Sequence, residues 1–129
     1  MSSNILADLR YSKEHQWAKV EGDVVYVGIT DYAQDSLGEV VYIDLPTIGE
    51  FYGAAEVVAN IESVKTSSDV YNPIGGTIAS INEELEDSPE LVNEDCYKYY
   101  LYTLSEAQVE QLDALMDAVG YQEYLKTLP

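Results

Sequence analysis

Ile61-Glu62-Ser63-Val64-Lys65-Thr66-Ser67-Ser68-Asp69-Val70 sets a short polar stretch between two apolar runs, the first beginning at Ala55. Runs of this length, broken by small and polar residues, read as two strands joined at a tight bend, with Lys65 at the tip. The pattern repeats outward. Trp17-Ala18-Lys19-Val20 and Val24-Val25-Tyr26-Val27 flank Glu21-Gly22-Asp23, a glycine-centred hairpin signal. Val40 to Ile43 stops at Asp44-Leu45-Pro46, and Asn72-Pro73 with Gly75-Gly76 leads into Thr77 to Ile81. Short strands with closely spaced turns predict a sandwich or barrel.

Two helices interrupt the strands. Thr30 is placed to cap a short one, with Asp31 in its first turn and Gly38 at its end. Ser105-Glu106-Ala107-Gln108 reads as a capping box, with Val109, Leu112, Met116 and Val119 at helical spacing and Gly120 as the stop. A last turn around Tyr121, Tyr124 and Leu125 is expected to pack the chain end, giving a helical segment of about 105–126 in a single domain covering 1–129.

Composition narrows the function. The 129 residues carry 24 Asp and Glu against 6 Lys and Arg, a net charge of −18. Phosphate backbones and anionic membranes reward the opposite sign, so neither nucleic acid nor a membrane surface is an expected partner. The apolar fraction of 47% is too high for a disordered acidic tail. A lone cysteine, Cys96, and a lone histidine, His15, exclude an internal disulfide and a Cys/His zinc site. No apolar run approaches the ~18 residues of a membrane span. Residues 1–10 show no apolar leader, and a reducing cytoplasm suits the single thiol.

No catalytic set emerges. His15 precedes a strand with no nucleophile elbow in the chain, so a structural or hydrogen-bonding role is expected. Glu83-Glu84-Leu85-Glu86-Asp87 reads as a solvated acidic loop, and Cys96, without a nearby cation, as inert. What stands out is arithmetic: from Val20 through Tyr97 there are 17 acidic residues and one cation, Lys65. Spacing alone leaves two readings of it, a solubilising turn residue or an amine offered for acylation.

Glu62-Ser63-Val64-Lys65, followed by Ser68-Asp69-Val70-Tyr71 and Pro73, resembles the lipoyl-lysine motif of the glycine cleavage system H proteins. Tyr11 to His15 with Trp17, Val27 to Gln34, Leu37 to Val41 and Glu86 to Asn93 are similar to further blocks of that family, in family order. The resemblance implies a mainly β fold, the barrel-sandwich hybrid of lipoyl and biotinyl domains, with a short internal helix and a C-terminal helix. It implies a carrier and no enzyme: (R)-lipoate amide-linked to Lys65 takes an aminomethyl group from a pyridoxal-phosphate glycine decarboxylase to a tetrahydrofolate-dependent aminomethyltransferase. A flavin (FAD) dihydrolipoamide dehydrogenase reoxidises the arm, and a lipoate ligase or lipoyl/octanoyl transferase attaches it, reading Glu62, Ser63 and Val64. Such a carrier is expected to be monomeric, bacterial and cytoplasmic.

Arm docking is implied at Glu14, Gln16 and Asp69. Two departures from the family stand out. Gln16 replaces a usual Glu, and without that charge a contact to a cationic cargo is expected to weaken. Cys96 to Leu101 lacks a glycine-rich turn and its Trp, whose place Tyr100 is expected to fill. These departures keep a second role in view, an H-like protein that relays lipoyl groups to other lipoate-dependent complexes.

Overall fold

Alternating side chains dictate the sheets. In the computed structural model, which describes residues 5–128, the strands are β1 (Arg10–Tyr11), β2 (Gln16–Glu21), β3 (Val24–Ile29), β4 (Val40–Asp44), β5 (Phe51–Tyr52), β6 (Val57–Ser63), β7 (Ser67–Tyr71), β8 (Gly76–Ile81) and β9 (Tyr102–Ser105). Helices α1 (Asp31–Leu37), α2 (Glu84–Asp87), α3 (Leu91–Glu94) and α4 (Ala118–Leu125) and a 3₁₀ segment (Val109–Ala114) lie between and after them. One antiparallel sheet has the order β1-β2-β3-β9-β8-β5, the other β4-β6-β7. The expected hairpin at Gly22 forms, with Val20 opposite Val25 and Gly22 at φ 61°, a backbone that glycine adopts without strain.

The two sheets enclose the main core. Ala18, Val25, Val27, Ile29, Ile78 and Leu104 of the larger sheet meet Val40, Ile43, Ile61 and Val70 of the smaller one. Side chains alternate along β2, so Trp17 points to the other face, where it joins Leu9, Tyr11 and Tyr121 in a second cluster. Helix α4 covers that outer face, its Tyr121 ring stacked 4.6 Å from that of Tyr11. The chain end thus packs around Tyr121, Tyr124 and Leu125 as expected.

Helix α1 runs where its caps place it. Thr30 Oγ1 accepts from Ala33 N at 3.3 Å, and Gly38, at φ 78°, donates to Gln34 O at 3.0 Å. The expected helix from Ser105 to Gly120 does not form. Ser105 is the last residue of β9, opposite Thr77, and Glu106 is held at φ 49°, so the apparent capping box never closes. Leu104, fully buried, ties this stretch to the sheet and outweighs local helical spacing. Val109 and Val119 are exposed, so the apparent stripe is no buried face. The helix starts later, capped by Asp117, whose carboxylate accepts from Gly120 N at 2.8 Å; Gly120 lies in the first turn, not at the stop. The acidic stretch at 83–87 is solvated as expected but coils into α2, pinned by the buried Leu85.

The second core leaves no room beside the indole. Gly28 pairs with Trp17 across the β2–β3 ladder, and a Cβ on Gly28 would stand 2.6 Å from Trp17 Cζ2. Gly28→Ala is therefore expected to destabilise the fold by about 2 kcal/mol through overpacking. Urea unfolding followed by the fluorescence of this single tryptophan measures it, and an unchanged midpoint would contradict the seating of the ring.

Candidate functional site

The bend between β6 and β7 is built by a serine. Ser63 Oγ accepts from Thr66 N at 3.2 Å and from Lys65 N at 3.4 Å, and Ser63 N donates to Thr66 O at 2.8 Å. Such side-chain turns stiffen a tip that would otherwise fray. A second anchor comes from the α1–β4 connection, where Glu39 O accepts from Val64 N at 3.0 Å. That connection is itself clasped by Asn93, whose Nδ2 donates to Gly38 O at 2.8 Å and whose Oδ1 accepts from Val40 N at 2.8 Å. Lys65 is thereby held out on a rigid mount.

Its amine is available. Lys65 is exposed, and neither ion pair among the described residues, Lys19–Glu21 or Lys126–Glu123, involves it. Its stem passes Gly38, where a methyl group would stand 3.3 Å from Lys65 Cε. Of the expected recognition residues, Glu62 and Val64 are exposed, Val64 the more fully at 66%, while Ser63 is spent on the bend. Near the tip lies an acidic hollow of about 420 Å³ lined by Asp35, Glu39, Glu90 and Glu94 with Gln34, Gly38 and Asn93.

A separate cleft of about 270 Å³ begins next to the tip. Glu14, His15 and Gln16 form one wall, Tyr32 to Leu37 of α1 supply a second through Tyr32, Ala33, Ser36 and Leu37, and Thr66 to Val70 form the third. The three positions expected to dock an arm, Glu14, Gln16 and Asp69, thus line one space, beginning one residue from Lys65. They differ in what they offer. Glu14 and Asp69 are exposed carboxylates, and Asp69 is steadied by Asn60 Nδ2 at 3.0 Å. Gln16 is buried and already satisfied: its Oε1 accepts from Ser12 Oγ at 2.7 Å and its Nε2 donates to Glu14 O at 2.8 Å. Its amide thus braces the backbone of Glu14.

His15, assigned a hydrogen-bonding role from sequence, has one: its Nδ1 lies 2.8 Å from Tyr121 Oη, and burial lowers its pKa from the usual imidazole value. Sequence reasoning missed that the ring lines the cleft, with Tyr32 against it at 4.5 Å. No local signal carries that, because His15 sits at φ 72° and its aim is set by a left-handed backbone and by α4. Cys96 is buried, and burial with the neighbouring Asp31 and Asp95 charges pushes its thiol up to about 12, in keeping with an inert residue. Tyr100 is half-buried and meets Tyr26 edge-on at 4.9 Å.

The two sheets thus form a β-domain that offers an exposed lysine on a braced hairpin tip beside a cleft. Comparisons with known proteins place this arrangement in a family. Residues 9–128 match the family model of the glycine cleavage H-protein. The chain is 50% identical over 125 residues to a glycine cleavage system H protein of Thermus thermophilus, covering 96% of this chain and 98% of that one. It is 47% identical over 121 residues to the glycine cleavage system H protein 2 of Pseudomonas putida, covering 93% and 95%. A crystal structure of the Mycobacterium marinum glycine cleavage system H protein superposes with a TM-score of 0.81 at 34% identity, over 95% of this chain and 97% of that one. This chain belongs to the glycine cleavage H-protein family.

Gln16→Glu removes the donor to Glu14 O and buries a carboxylate, a change expected to cost about 1–3 kcal/mol at pH 7. A buried acid binds its proton more tightly in the folded than in the unfolded chain, so part of the loss returns as pH falls toward the usual carboxylate range. Urea titrations of both proteins at pH 7 and pH 5 check this. Equal stability at both values would mean that the amide supports nothing.

Proposed function

We propose that Lys65 carries (R)-lipoate in amide linkage and that the cleft beside the hairpin receives the loaded arm. The chain works as the lipoyl carrier of the glycine cleavage system, taking an aminomethyl group from a pyridoxal-phosphate glycine decarboxylase to a tetrahydrofolate-dependent aminomethyltransferase. The observation that carries this is the juxtaposition of an exposed lysine, in no ion pair among the described residues, on a hydrogen-bonded bend with a cleft lined by two carboxylates. When bound, lipoate supplies an exchangeable disulfide and a thiol able to hold carbon.

The protein's own residues do the rest. Ser63 and the Glu39 carbonyl fix the direction in which Lys65 leaves the surface, so the tether searches a small volume and meets each docked partner at high effective concentration. Glu14 and Asp69 place negative charge where a cationic cargo would rest, and Leu37, Ile61 and Val70 in the cleft wall exclude water behind it. Gln16 keeps Glu14 in position. A ligase or lipoyl/octanoyl transferase reads Glu62 and the projecting Val64 on a bend shaped by Ser63. The acidic hollow beside Gly38 suits partners with basic rims, the FAD-containing dihydrolipoamide dehydrogenase among them, with association that weakens as salt rises.

The catalytic steps belong to the partner enzymes, and the chain acts as a monomer in the bacterial cytoplasm. No helix among the described residues is long and apolar enough to cross a membrane. The names of the relatives favour glycine cleavage over a lipoyl relay.

Co-expression with an active lipoate ligase is expected to add the mass of one lipoyl group to the wild type and none to Lys65→Arg, read by intact-protein mass spectrometry. A wild type left unmodified by a ligase that modifies a control carrier, or a modification that survives the substitution, overturns the assignment.

A further inference from the structure

His15 is the strongest base that the cleft could contain, and its protonation site is decided by atoms outside the cleft. Thr30 is fully buried; its Oγ1 accepts from Ala33 N and lies 2.7 Å from Tyr121 Oη. No other acceptor for the Thr30 hydroxyl hydrogen exists among the described residues, and a buried hydroxyl left without one costs about 1–3 kcal/mol. Thr30 therefore donates to Tyr121. The Tyr121 hydroxyl, kept protonated by burial, then has its own hydrogen for His15 Nδ1 at 2.8 Å. That bond makes Nδ1 an acceptor and puts the ring proton on Nε2. Nε2 has no partner among the described residues, yet no side-chain nitrogen or oxygen there is both buried and unpaired, so Nε2 is open to solvent on a ring that lines the cleft.

We propose that Tyr121 is a positioning residue that keeps the cleft free of a general base: through the Thr30–Tyr121–His15 chain, the ring shows the cargo an N–H and no lone pair. The proposal rests on the carrier reading above. Loss of an aminomethyl cargo to water begins when a base takes a proton from its ammonium. The nitrogen lone pair then closes a carbon–nitrogen double bond while the carbon–sulfur bond breaks. Its electron pair leaves with sulfur, which takes up the proton, and water converts the released iminium to formaldehyde and ammonium. A carboxylate is intrinsically a weaker base than an imidazole and pairs with an ammonium without deprotonating it. Glu14 and Asp69 thus hold the charge, while His15 is prevented from removing it. Other groups facing the ring are the hydroxyl-bearing Tyr32 of α1 and Tyr121 and Tyr124 of α4, with no cation among them. Protonating His15 would reverse the chain and strand the Thr30 hydrogen, which keeps the ring neutral as well as correctly oriented.

The tautomer is read directly from ¹⁵N chemical shifts of the His15 ring in the unlipoylated chain, which is valid whether or not Lys65 is the attachment point. The expected result is a protonated Nε2 and a bare Nδ1; a protonated Nδ1 overturns the proposal by itself. In the loaded carrier, Tyr121→Phe frees Nδ1 to hold the proton and Nε2 to face the cargo as a base. Formaldehyde release is then expected to rise about a hundredfold, the lower end of the range of general-base catalysis. The increase should follow a histidine titration with pH and disappear when His15→Gln is added. A folded Tyr121→Phe protein with unchanged release, or with an increase that is flat with pH and survives His15→Gln, refutes it. Should Tyr121→Phe not fold, the wild-type tautomer decides the matter.

Discussion

One backbone hydrogen bond holds the functional geometry together: Val64 N to Glu39 O, which ties the β6–β7 bend to the turn that ends α1. A free hairpin tip would let its lysine wander. This tip is tied on both sides, by Ser63 within the bend and by Glu39 across to α1, and Asn93 locks the α1 end of that tie to α3. The same tie sets the cleft, because α1 forms one wall and β7 another. Lys65 and the neighbouring cleft are therefore held by the same set of hydrogen bonds.

The second constraint is aromatic. Tyr121 is buried, stacks on Tyr11, bonds Thr30 and bonds His15, so a residue of the last helix fixes an N-cap and a cleft side chain at once. Helix α4 is in this sense part of the site although it contributes no cleft-lining atom. The −18 charge acts at longer range: the acidic hollow and the two cleft carboxylates lie near a tip whose single cation an amide would neutralise.

Much of this was legible in the sequence. Thr30 and Gly38 announced α1, Gly22 the first hairpin, and the polar stretch around Lys65 the exposed bend between β6 and β7, because caps, turns and charge are local properties. Ser105 to Gly120 misled for the opposite reason. Its helical spacing is genuine, but Leu104 and Ser105 are claimed by the β8–β9 ladder, a partnership no local pattern displays. Glu14 and Asp69 were named through resemblance, and only the folded chain puts them in one cleft. Gln16 read as a lost charge, whereas its amide is a support for its neighbour. Tyr121 was expected only to pack the chain end; its partners Tyr11, His15 and Thr30 lie about 90 residues or more away in sequence, where no local pattern points to them.

The central claim is that the arm, once loaded, leaves solvent for the cleft between α1 and the hairpin. Backbone and side-chain NMR shifts of the lipoylated carrier, compared before and after loading with the aminomethyl group, test it most directly. The account predicts changes concentrated at Glu14, His15 and Gln16, at Tyr32 to Leu37 and at Thr66 to Asp69. Changes confined to Val64 and Lys65, or centred on the acidic hollow at Glu90 and Glu94, would contradict it.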